Sequence, residues 1–296
     1  MSKCMLCPRE CGVDRERGQL GTCHAPAEVY VARIAPHHFE EPPISGTRGS
    51  GTVFFAGCSL GCIFCQNQEI SRGVAGKPMS EEALADAILA LADTGVHNIN
   101  LVTGTHYTDA IARVLRTVKP HLRIPVVWNS SGYEREETLR LLEGLVDIYL
   151  PDFKYMSPEL ASLCSNVPDY VDFATLALQE MVRQTGPVVF DEAGMLLKGT
   201  VVRHLVLPGC RRDSLEVLQR IAESVPVADI RLSLMRQYTP DFAPRSAPKW
   251  LQRRVTSFEY DAVAAEALRL GFEGFLQEKS SATVAYTPDF TEDQTS

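Results

Sequence analysis

The chain has 296 residues, 45% of them apolar and 22% charged, with a formal net charge of −8. That length can bury one sizeable core, and the acidic balance argues against non-specific binding to nucleic acid or an anionic membrane. There is no membrane-length apolar run, and the opening MSKCMLCPRE lacks the apolar stretch of a secretory signal, so the expected setting is cytoplasmic. Thiols stay reduced there, and nine cysteines, seven of them in two tight groups, point to metal rather than disulfides.

The first group is Cys4, Cys7, Cys11 and Cys23. Four thiolates suit a closed site, either tetrahedral zinc or an auxiliary iron–sulfur cluster, and His24 could replace one of them. The alternative is four reduced thiols on a flexible arm. Residues 36–51, PHHFEEPPISGTRGSG, are rich in Pro and Gly and read as a loop or linker. From Thr52 apolar runs alternate with amphipathic segments. The runs are 52–57, 98–103, 124–129, 146–153, 201–208 and 230–235, with a short one at 274–277. Several are β-branched and nearly continuous, as strands buried on both faces should be. Helices are expected over 80–95, 107–118, 134–144, 170–184, 211–223 and 258–270. The clearest is SEEALADAILALADTG, with Ser80 as N-cap, an apolar stripe at Leu84, Ala87, Ile88 and Leu91, and Gly95 as its stop.

Strand–helix alternation repeated about six times predicts a mostly parallel α/β sheet with right-handed crossovers. The sheet could close as a barrel or stay open and doubly wound; the architecture expected is a partial (β/α)6 TIM-like barrel over 46–280. A cysteine-rich metal-binding extension and linker precede it over 1–45, and a flexible tail follows over 281–296. In such a sheet the chemistry gathers at the carboxyl ends of the strands.

The second cysteine group sits at such an end. Directly after the strand run TVFFAG comes CSLGCIFCQNQ, which places Cys58, Cys62 and Cys65 in the spacing C-x3-C-x2-C. Gly57 and Gly61 let the backbone fold tightly around a bulky core. A 4Fe–4S cubane has four irons, and three cysteines leave one iron open to a small molecule. A zinc site with a fourth ligand elsewhere is the bland alternative. The motif resembles that of the radical S-adenosylmethionine superfamily, and FFAGCSLGCIFCQN is similar to the branch of the pyruvate formate-lyase activating enzymes. The likeness covers about residues 50–280. It implies that S-adenosylmethionine chelates the open iron and is cleaved reductively. The resulting 5′-deoxyadenosyl radical would take a hydrogen atom from a substrate.

The resemblance also implies a cofactor-binding set. It includes Phe64 near the adenine and Asn67 beside the cysteine loop. The second run ends in Thr103, Gly104, Thr105 and His106, where the family usually has a Gly-Gly-Glu type of element for the methionine amino group. Asn129 and Ser130 end the third run and Asp152 the fourth. Asp152 stands where an acidic pair can hold a monovalent cation, although Asn129 replaces one acid here. Lys154 has the charge to meet a carboxylate. Of Arg203 and His204, one should face the lumen, and His204 is the residue chosen for the ligand side. Ser233, Met235 and Gln237 could line the substrate side. Cys164 and Cys210 read as buried, inert thiols.

The implied partners are a protein substrate, such as a glycyl radical enzyme, or a small molecule, together with an electron donor such as flavodoxin or ferredoxin. From Lys198 to Arg254 eleven Lys or Arg stand against five Asp or Glu. That stretch is either a set of solvated helix faces or a dock for an acidic partner. A non-catalytic zinc-binding adaptor is the rival from a different class.

Overall fold

The computed structural model describes residues 3–72 and 75–277. The tail read as flexible, 281–296, lies outside them. The strands are β1 Val29–His37, β2 Ser50–Phe55, β3 Lys77–Met79, β4 Ile99–Val102, β5 Val126–Ser130, β6 Ile148–Pro151, β7 Val189–Phe190, β8 Leu196–Leu205, β9 Ile230–Met235 and β10 Gly274–Leu276. Between them lie α1 Pro42–Ser45, α2 Gln68–Ser71, α3 Glu81–Asp93, α4 Thr108–Val118, α5 Glu136–Leu139, α6 Pro158–Ser165, α7 Tyr170–Thr185, α8 Arg211–Ser224 and α9 Ser257–Arg269.

The strand order is β10-β9-β8-β6-β5-β4-β2-β1-β3, with β7 beside β8. Every neighbouring pair from β10 to β2 is parallel, while β1 runs antiparallel to both β2 and β3. Among the described residues the path ends at β10 and β3 without closing, so this is a partial barrel. The expected runs became β2, β4, β5, β6, β8, β9 and β10. Pro151 ends β6, as a residue without an N–H should. Ser80 caps α3 by accepting from the Ala83 amide, and Gly95 takes φ +89° just beyond the helix.

Residue alternation sorts the sheet into two faces. On the outer face Val53, Phe55, Ile99, Leu101, Trp128 and Tyr149 pack with the apolar stripes of α3 and α4. Val202, Leu232 and Leu234 do the same beneath α8 and α9. On the inner face Val127, Ile148, Leu150 and Val201 close around Ile44 of α1. The short helix α1 thus plugs one end of the barrel. Residues 29–45 therefore belong to the barrel: β1 is part of its sheet and α1 part of its core. The stretch expected to be a loop or linker is built into the fold, because β1 finds its partners in β2 and β3, beyond the reach of a local sequence pattern.

The cysteine-rich segment before it is docked. Arg9 donates to the carbonyls of Ser59 at 2.8 Å, Ser165 at 2.9 Å and Asn166 at 2.6 Å. Arg15 donates to the His106 carbonyl at 2.6 Å, and Arg135 reaches the Met5 carbonyl at 3.0 Å and Glu10 at 2.9 Å.

Candidate active site

The carboxyl end of β2 runs straight into the cysteine loop. Gly57 makes the turn at φ +88°, and a Cβ there would lie 2.5 Å from the Cys23 carbonyl oxygen, so only glycine fits. The Ile63 amide donates to the Cys164 carbonyl at 2.9 Å, which pins the loop to the end of α6. Ser165 Oγ donates to Cys62 Sγ at 3.0 Å, and the Leu60 amide points to Cys58 Sγ at 3.4 Å. Burial, joined by the neighbouring Cys62, pushes the Cys58 thiol up to about 12, and burial raises Cys65 as well. Buried, adjacent thiols of this kind ionise readily only against a cationic centre.

All three cysteines border one cavity of about 770 Å³. Phe64, Asn67, Thr103, Asn129, Ser130, Asp152 and Lys154 border it too, as do Ser233, Met235 and Gln237. They converge because β2, β4, β5, β6 and β9 are parallel and end on the same side. Asn67 Oδ1 is buried there without a hydrogen-bond partner, an acceptor free for a ligand. Thr103 sits at φ +59°, a costly conformation for a β-branched residue, held at the cavity wall by its amide bond to the Asn129 carbonyl at 2.9 Å. Lys154 Nζ pairs with Asp152 Oδ2. Burial works against the ammonium, but the Asp152 charge outweighs it and holds the lysine pKa above its ordinary value. Ser130 borders the cavity, yet its hydroxyl is committed to Glu134 at 2.6 Å.

Four expected ligands point elsewhere. His204 lies on the outer face of β8, where its Nδ1 meets the Phe153 carbonyl at 2.7 Å; alternation gives the lumen to Arg203 and Leu205. His106 is buried behind the cysteine loop, with Nε2 on the Ala56 carbonyl at 2.7 Å. Thr105 donates to Glu134 at 3.0 Å. Gly104 backs onto Ile111 and Trp128, 2.7 and 2.9 Å from where a Cβ would stand. In place of His204, Arg203 enters the lumen. Its Nε and Nη2 grip Glu41 at 2.8 and 2.7 Å, Nη2 also pairs with Glu40, and Nη1 donates to Asn129 at 3.2 Å. Burial opposes ionisation of Glu41, but the Arg203 charge and hydrogen bonds win and lower its pKa. Glu40, Glu41 and His37 were hidden inside the stretch read as linker. The signal was two adjacent acids between an aromatic and two prolines.

A loop of three cysteines at the end of the first parallel strand, opening on a cavity at the strand ends, agrees with the family comparison. A model of the radical SAM superfamily matches residues 52–230. The chain belongs to the radical SAM superfamily. A 4Fe–4S cluster and S-adenosylmethionine are the cofactors of that family, and the chain is a radical SAM enzyme. An uncharacterized protein of Methanocaldococcus jannaschii is 29% identical over 270 residues, covering 87% of this chain and 72% of that protein. Among solved structures, SuiB of Streptococcus suis bound to precursor peptide SuiA aligns with TM-score 0.50 at 13% identity. That match covers 75% of this chain and 46% of SuiB. Methylornithine synthase (PylB) aligns with TM-score 0.43 at 17% identity, covering 72% and 58%. This radical SAM chain thus spans roughly half the length of the solved chains it matches, and the likeness is one of fold. Among its described residues no helix is long and apolar enough to cross a membrane.

Proposed function

We propose that Cys58, Cys62 and Cys65 hold the 4Fe–4S cluster, that S-adenosylmethionine occupies the adjoining cavity, and that the enzyme abstracts a hydrogen atom from a small molecule or a protein side chain. The carrying observation is the convergence of these three thiols on one cavity with Asn67, Thr103, Asn129 and the Asp152–Lys154 pair. When bound, the cluster and nucleoside supply one electron and a primary carbon radical. The chain's own work is to seat and shield them. Phe64 offers an aromatic edge, fixed 5.8 Å from the Tyr238 ring, for the adenine. Lys154 supplies a cation for the methionine carboxylate, while Thr103 and Asn67 Oδ1 present polar atoms to the amino acid or ribose. The plug at α1 keeps water out of the closed end.

No three His, Cys, Asp or Glu side chains among the described residues stand close enough to share a single metal ion. The cluster on the loop is supported instead by the C-x3-C-x2-C spacing and the family match. The N-terminal thiols Cys4, Cys7, Cys11 and Cys23 form the proposed auxiliary site, and zinc there would require them to draw together. A monovalent cation beside Asp152 would have to displace Lys154. A second reading, radical formation on a glycyl radical enzyme, rests on the string FFAGCSLGCIFCQN. The test is anaerobic reconstitution, reduction and electron paramagnetic resonance. Addition of S-adenosylmethionine should alter the cluster signal and yield 5′-deoxyadenosine; an unchanged spectrum rejects the assignment.

A further inference from the structure

The inner end of the cavity is built from charge. Among the described residues that border it, Glu40, Glu41 and Asp152 stand with Arg203 and Lys154, three carboxylates to two cations, and Arg33 acts on His37 from β1. These groups are not solvated rim residues. The side chains of Glu40 and Glu41 are 9% and 6% exposed, and that of Arg203 is 12% exposed. A buried charge without a counter-charge is costly, and evolution normally removes it or pairs it. His37 borders the same wall, but burial lowers its pKa, so it makes a poor counter-ion. The proposed cofactors do not settle the balance either. A three-thiolate cubane in its oxidised state would carry one net negative charge, and S-adenosylmethionine chelating through a neutral amine and a carboxylate would carry none, so the pair would add no positive charge to the wall.

Hydrogen-bond capacity is lopsided in the same sense. Glu40 Oε1 accepts from Asn100 at 3.0 Å and from Asn129 at 3.3 Å. Asn100 Oδ1, beside it, is buried with no donor. Acceptors outnumber donors, and an N–H-rich cation would serve both needs. Phe54, Val102, Leu205 and Met235 border the same cavity and offer an apolar wall for an aliphatic stem.

We propose that this acidic floor seats a cationic group of the substrate, an alkylammonium or guanidinium. The inference rests on the cavity being the substrate and cofactor site and names the substrate class for it.

The test uses anaerobic, reconstituted enzyme with S-adenosylmethionine present and calorimetric titration of n-butylammonium, n-butanol, butyrate and potassium chloride. Butylammonium should bind saturably and at least tenfold more tightly than butanol, with butyrate excluded. Glu40→Gln, which keeps the shape and removes the charge, should weaken the ammonium about tenfold. Equal binding of butanol or butyrate, or an unaffected E40Q, overturns the proposal. So does displacement of butylammonium by potassium at equal concentration, which would assign the floor to an inorganic ion. Should E40Q fail to fold, Glu40→Asp and the wild-type ammonium-to-butanol ratio carry the decision. A Gly-Lys-Gly peptide that binds more tightly than butylammonium points to a protein side chain as source, and the reverse points to a free amine. The spectroscopic response to S-adenosylmethionine is scored separately. Its loss with ammonium binding intact would reject the cofactor assignment and leave the cationic subsite standing.

Discussion

Arg203 and His204 are neighbours on β8, yet they live in different worlds. Arg203 projects into the lumen and ties β8 to Glu40 and Glu41 from the plug. His204 turns to the helices and is held neutral against the Phe153 carbonyl. The contrast runs along the whole sheet. Thr103, Asn129, Asp152 and Ser233 line the cavity, while Phe55, Leu101, Trp128 and Leu234 fill the outer core. The inner face at the strand ends spends polar groups on ligands; the outer face spends apolar ones on stability. Substitutions on the two faces should therefore fail in different assays.

The largest effect belongs to the cavity side. Cys62→Ala should abolish reductive cleavage of S-adenosylmethionine, a fall of at least 10³-fold on the scale of losing an essential group, while the melting temperature of the metal-free protein stays within a few degrees. Cys7→Ser should lower metal content without removing the loop cluster. Iron analysis and 5′-deoxyadenosine assays on both variants check this. Full turnover by C62A would break the division of labour between the faces.

Arg203→Met should cross the divide and damage both properties. It leaves Glu40 and Glu41 buried without their guanidinium, and removing one partner of such a network costs about 3–5 kcal/mol. Urea denaturation measures the loss. Part of it should return below about pH 5, where an unpaired carboxylate can take a proton. A loss that ignores pH would mean that packing, not charge, holds the plug.

The two histidines buried outside the lumen, His204 behind β8 and His106 behind the cysteine loop, should declare themselves in acid. Burial lowers the pKa of His106 and of His204 from 6.5 to about 4. Each ring faces a carbonyl, which can only accept, so the facing nitrogen carries the proton and the ring is neutral. Their other nitrogens have no partner, so protonation would bury a charge. The unfolded state takes up protons from pH 6.5 downward while the native state does not, so the stability present above 6.5 is lost as pH falls toward 4. Each histidine accounts for roughly 3 kcal/mol across that window. Thermal melts of the wild type and of His204→Gln between pH 7 and 4 check the slope, and H204Q should be the flatter curve.

How far the sequence reached follows from the same geometry. Alternation along VVRHLVLP announces two faces but not which one looks inward, and the histidine seemed the better ligand. Only the β6–β8–β9 register, a non-local fact, turns Arg203 to the lumen. The cysteine loop was legible because its spacing is local and follows a strand. The acids of the plug were not, because their partner lies more than 160 residues away. The basic stretch 198–254 also scatters in space. Arg203 enters the cavity, Arg231 meets Glu273, Arg236 lies against Asp261 and Arg253 grips Glu259.

The smallest effect should come from the N-terminal segment, which touches the barrel at the rim between the two faces. Arg9 makes three bonds to carbonyl oxygens and lies 5.9 Å over the Tyr133 ring. One of those carbonyls, Ser59, is on the cysteine loop, and another, Ser165, belongs to the residue whose hydroxyl holds Cys62 Sγ. Arg9→Ala frees the exposed Asn166 carbonyl to water but leaves the partly buried Ser59 and Ser165 carbonyls short of a donor, so the global loss should be about 1–3 kcal/mol. The local consequence should be clearer. Hydrogen exchange over residues 3–24 should speed up while β4 to β6 keep their protection. The cysteine loop should show an intermediate response, since it keeps the Cys164 anchor after losing Arg9. Uniform acceleration across the sheet would mean that the segment is part of the core and not a docked addition.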